Sequence, residues 1–125
     1  MAKRKLLTKK QRRAWNLYIN GLRKRLPTEK PLIVKTRKLP KNFDAFAGEV
    51  DGCWLIQISS ELSYLARVDA LIHEYAHALD DVHRHGGDHD KEHGKDWGIL
   101  YGEVYRALAS ISDEIRKKTD EAASE

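Results

Sequence analysis

The chain has a single cysteine, Cys53. One thiol excludes an internal disulfide and any zinc finger built on several cysteines, and it makes a reducing, cytoplasmic location the default expectation. Long apolar runs are missing too, and none approaches the roughly 18 residues of a membrane-spanning helix. The opening stretch, MAKRKLLTKKQRR, offers only Leu6 and Leu7 where a signal peptide needs a longer apolar core. Repeats and low-complexity linkers are also lacking. What remains, 125 residues with 41% hydrophobic content, suits one globular domain with a modest core.

Acidic residues are nearly absent from one part of the chain. Residues 1–41 hold 15 Lys and Arg against one acid, Glu29, whereas residues 42–125 hold 8 against 18. The net charge of +4 therefore divides into a head of +14 and a body of −10. A basic head points to nucleic acid as a partner. Lys3, Arg4, Lys5, Lys9, Lys10, Arg12 and Arg13 are the residues expected to meet phosphates without reading base sequence. Arg23, Lys24, Arg25, Arg37 and Lys38 would extend that surface. The plainer reading is a solvated basic helix that only aids solubility.

Periodicity sets out an α+β chain. Thr8 caps a first helix in which Trp15, Tyr18, Leu22 and Leu26 recur at steps of three and four, ending at Pro27. A short strand, Leu32 to Lys35, precedes Pro40. Asp51-Gly52 suits a type I′ turn, whose two central residues need positive φ, and it joins strands Ala45–Val50 and Cys53–Ile58. After Ser59 and Ser60 a long helix is expected from near Ser63 to about Asp80, with Leu65, Val68, Leu71, Ile72, Tyr75, Ala76 and Leu79 on its core face. Gly86-Gly87 interrupts helix formation. A last helix starts near Lys95 with Trp97, Leu100, Tyr101, Val104 and Leu108 on one side, and residues 111–125 read as a fraying helical tail.

All six histidines lie between Leu71 and Trp97. His73 and His77 flank a glutamate in the order H-E-x-x-H, in HEYAH. Residues i and i+4 share one helix face, so the two imidazoles can meet one ion. Zinc accepts neutral imidazole nitrogen, and three protein ligands plus a water is its catalytic arrangement. Glu74, about 100° around the helix, stays out of the ligand set but near that water, whose proton it can take as general base. The motif lies in a strongly apolar helix, with Ala76 and Ala78 beside His77. Two structural histidines next to a His-rich surface loop are the bland alternative.

Several residues compete for third ligand. His83 stands ten residues after His73, the spacing of one extended zinc-protease pattern, but Asp80 replaces its glycine and no methionine follows for its methionine turn. Glu103 is a suitable ligand type without a motif around it. His85 and His89 remain open. His93 stands in EHGKDWGILY, where Gly94 gives a bend and Trp97 opens an apolar helix expected to pack on the motif helix. His89 with Asp88, Asp90 and Glu92 reads as a polar loop, and one of those acids is a candidate to orient a ligand imidazole.

HEYAH, fifteen intervening residues and then HGKDW together resemble the SprT-like zinc metallopeptidases, which pair H-E-x-x-H with a later H-G-x-x-[F/W]. CWLIQISSELS looks like that family's edge strand leading into the active-site helix, and the resemblance covers about residues 43 to 108. It is nearest to compact phage-encoded members. A zinc ribbon, which larger relatives carry, is missing, since one cysteine cannot build one.

The resemblance implies a zincin-like α+β domain: an N-terminal helix, a small antiparallel three-stranded sheet, the H-E-x-x-H helix and a C-terminal helix. Residues 1–41 would form the basic helix and first strand, 42–110 the catalytic core and 111–125 the tail. It further implies one Zn2+ held by His73, His77 and His93, with Glu74 as catalytic acid/base. Protein substrate would then lie as an extended strand along the edge CWLIQI. Tyr101 and Tyr105 are candidates to stabilise the oxyanion, although their spacing suits core positions better, and Trp15 and Trp54 read as packing residues. Two other readings stand beside hydrolysis. One is a nucleic-acid-binding module with a structural metal site. The other is a factor that acts by binding a host protein.

Overall fold

The computed structural model describes residues 6–80 and 95–124. The first helix, α1, is Lys9–Arg25. Its start is fixed by a capping box: Gln11 donates its backbone N–H to Thr8 Oγ1 at 3.1 Å, and Thr8 donates its own to Gln11 Oε1 at 3.0 Å. Three strands follow, β1 Leu32–Arg37, β2 Ala45–Val50 and β3 Cys53–Ser59. Then come the motif helix, α2 Tyr64–Asp80, and a long last helix, α3 Lys95–Ser124. No helix among the described residues is long and apolar enough to cross a membrane.

The sheet has the order β1-β3-β2, which corrects two expectations. It is mixed rather than antiparallel, because β1 runs parallel to β3 from Leu32↔Trp54 to Arg37↔Ser59. CWLIQI is the central strand, not an edge. The reason lies in the connections. The chain reverses between Arg37 and Ala45, where Asn42 has φ 77°, and again at Asp51-Gly52, where φ is 51° and 77°. Two reversals return β3 to the direction of β1, and β3 inserts between the two earlier strands. The turn at Asp51-Gly52 carries positive φ at both residues, as type I′ geometry requires.

One face of the sheet meets the helices. α2 packs against β2 and β3, and α3 packs against both α2 and α1. Leu22, Ile56, Ile58, Leu71, Ala76 and Val104 are fully buried at the centre. Trp15 is buried and Trp54 packs against this cluster. Leu65 departs from its expected core position and is 74% exposed. It shares a stripe with Ile72, but no described element covers that side of the first turn of α2. The C-terminal stretch is helical, in line with the helical tail expected there. Its helix continues to Ser124, and Ile111 is buried where α3 crosses α1.

Two polar groups fix α2 in place. Arg67, the one Lys or Arg of α2, is buried and donates from Nη2 to Ser60 O at 2.9 Å and from Nε to Leu62 O at 3.0 Å. It thereby ties the helix to the turn that leaves β3. Tyr75 reaches the end of α1, its hydroxyl lying 3.1 Å from Leu22 O and 2.6 Å from Leu26 O. Burial pushes this phenol up from 10.0 to about 12, against the opposing pull of Arg23.

A raised phenol favours folding fully below pH 10, and that contribution declines as pH climbs from 10 toward 12. Tyr75→Phe removes both the hydroxyl contacts and this dependence. Denaturant melts at pH 7 should show a loss of about 1–2 kcal/mol. Melts between about pH 9 and 11, around the ordinary tyrosine range, should show a shallower alkaline slope. Some slope persists, because burial and a hydrogen bond with Tyr18 also raise Tyr64.

Candidate metal centre

The two motif histidines stand one turn apart on α2, on the side away from its core face. Their Nε2 atoms are 3.2 Å apart and their ring centroids 4.8 Å. Two imidazoles bound tetrahedrally to one zinc, each at about 2.05 Å, hold their nitrogens about 3.3 Å apart. The observed spacing is close to that separation. It is also a spacing at which one neutral ring can donate its proton to the other.

Glu74 is buried between this pair and the core, and its Oε1 lies 3.9 Å from His73 Nε2. A buried carboxylate this close to an imidazole nitrogen could exchange a proton with a water on an ion held there. The first turn of α3 forms a wall on the site. Trp97 sets its ring 5.1 Å from His73 and 5.4 Å from His77, centroid to centroid. Tyr101 stacks on the far side of Trp97 at 5.2 Å. Trp97 thus packs on the motif helix as its sequence context suggested.

Other sequence-derived candidates fare differently. Tyr105 is 57% exposed and so is not the core residue its spacing suggested. Tyr101 is half-buried and packs against Trp97. Glu103 is exposed, and among the described residues no group of three His, Cys, Asp or Glu side chains is placed to hold a metal ion. His83, His85, His89 and His93, with Asp88, Asp90 and Glu92, fall outside the described residues, as do Lys3, Arg4 and Lys5. Lys9, Lys10, Arg12 and Arg13 are exposed on α1.

Arg67 was missed in the sequence, where a lone cation inside an apolar helix was the available signal. Its hydrogen bonds tie α2, the helix that carries His73 and His77, to the turn that leaves β3. The β2 edge was missed as well, because β3 was given its place. Comparison with protein families, with curated proteins and with solved structures returned no match to this chain.

Proposed function

We propose that the protein is a zinc-dependent metallopeptidase of the SprT-like kind, hydrolysing peptide bonds with Glu74 as general acid/base. The observation that carries this reading is the His73–His77 pair at zinc spacing with a buried glutamate beside it. His73 and His77 would hold the ion. His93 is the third ligand we favour, because it precedes Trp97 by four residues and the Trp97 ring abuts both imidazoles. Zinc, when bound, supplies a Lewis acid for the scissile carbonyl and acidifies a water. Glu74 takes the proton of the attacking water and returns it to the leaving amine.

The substrate strand is assigned to β2. It is the sheet edge next to the motif helix, and its outer side has no partner strand among the described residues. Backbone pairing along Ala45–Val50 would hold an extended peptide with little demand on its side chains.

Activity should follow the metal. Hydrolysis of casein should disappear when zinc is stripped with a chelator and return when about one equivalent is restored. Activity that survives full removal of metal would end this proposal.

One further observation favours nucleic acid as a partner that brings the enzyme to protein bound there. α1 carries seven Lys and Arg, no acid, and no acidic residue in its first turn. Lys9 and Lys10 stand at the positive end of the helix dipole, where cations are disfavoured. A polyanion laid along this end would offset that cost.

A further inference from the structure

α1 and α3 cross where Gly21 faces Ile111. A Cβ on Gly21 would stand 2.6 Å from Ile111 Cδ1, so the absent side chain is what lets the helices approach this closely. Beside the crossing the two helices enclose a groove of about 590 Å³. Its apolar floor includes Leu17, Ile111 and Ile115, and Leu17 is 44% exposed although α1 has a separate core face. Its rim carries Arg13 and Lys24 from α1 and Lys118 from α3. Among the described residues the one carboxylate in the lining, Glu114, is already paired with Arg25, which joins the two walls.

We propose that this groove docks an amphipathic helix of a partner protein, with leucine-type residues on one face and acidic residues flanking them. Charge and apolarity choose that occupant together. A purely apolar helix would bury the rim cations without partners, which is costly. A nucleic-acid backbone would match the cations but gain nothing from covering Leu17 and Ile115. A second copy docked through the same groove would set Arg13, Lys24 and Lys118 against themselves. Size agrees as well. Arg13 to Lys24 spans about 16 Å of α1, the length of three helical turns. Helix-in-groove recognition uses anchors at i, i+3 or i+4, and i+7 over that length. No residue of α2 takes part, so this inference stands apart from the hydrolytic reading.

The test uses the full chain and a fluorescein-labelled helical peptide of about 18 residues, with leucines at those anchor spacings and glutamates beside them. Its control is the same peptide with every glutamate replaced by lysine. Anisotropy should show saturable binding of the acidic peptide and about tenfold or more weaker binding of the lysine peptide. Leu17→Asp and Lys24→Glu, both at exposed positions, should each weaken the acidic peptide by about tenfold. Circular dichroism checks that both variants keep the wild-type helix content. No binding of the acidic peptide, equal binding of both peptides, or indifference to Leu17→Asp would overturn the proposal. So would displacement of the peptide by a single-stranded oligonucleotide whose own binding is weakened by Lys24→Glu but ignores Leu17→Asp, since that makes the groove itself a phosphate surface.

Discussion

Glu74→Gln should leave the zinc content of the protein unchanged and lower kcat for peptide hydrolysis by about 10³- to 10⁴-fold. Glutamine matches glutamate in size and keeps one carbonyl oxygen, so the packing around this buried side chain should hold. What it loses is the ability to take a proton from water and pass it on. In free-energy terms the loss is about 4–5.5 kcal/mol of transition-state stabilisation. KM should change little, because Glu74 is not assigned a substrate contact. The competing readings predict otherwise. A structural metal module, or a factor that works by binding, would retain whatever activity it has in Glu74→Gln. A melting curve alongside the assay separates lost chemistry from lost fold.

Binding to DNA should weaken steeply with salt. Each phosphate neutralised contributes a slope of about −0.9 in log affinity against log salt. If Lys9, Lys10, Arg12 and Arg13 each meet one phosphate, affinity should fall about a hundredfold between roughly 50 and 200 mM salt. Replacing these four residues by glutamate should abolish binding at low salt. The helix should survive, since all four are exposed and acidic residues suit the first turn of a helix. A flat salt response in the wild type, or unchanged binding in the variant, would remove nucleic acid from the account. Hydrolysis of a DNA-free substrate should be unaffected in this variant, because none of the four residues is assigned a place in the His73–His77 site.

Local order in this fold was legible in the sequence because it depends on neighbours. Thr8 and Gln11 announce a helix start, Asp51-Gly52 a hairpin, and the spacing of Leu71, Ile72 and Tyr75 a core-facing stripe. Sheet order was not legible by alternation alone, since β3 could pair on one side or both. Exposure at Leu65 and burial at Ile111 turn on whether another helix reaches those positions, which periodicity does not encode.

The site divides the same way. His73 and His77 are a turn apart on one helix, so their convergence follows from the i, i+4 rule and is present at 3.2 Å. Trp97 meets them from another helix, and its role rested on sequence context. His93, the proposed third ligand, stands sixteen residues beyond His77, where spacing gives a motif but no distance. Arg67 and Gly21 belong to a further class. Each is unremarkable until its partner is known, and then each fixes how two elements meet.

The central claim is that His73, His77 and His93 hold one zinc ion. Elemental mass spectrometry of protein purified without chelator measures it directly. The account predicts about one zinc per chain in the wild type and in Glu74→Gln and His83→Ala, and loss of zinc in His73→Ala, His77→Ala and His93→Ala. Zinc retained in His93→Ala but lost in His83→Ala would move the third ligand. A wild-type protein without zinc, or one that keeps it in His73→Ala, would contradict the claim.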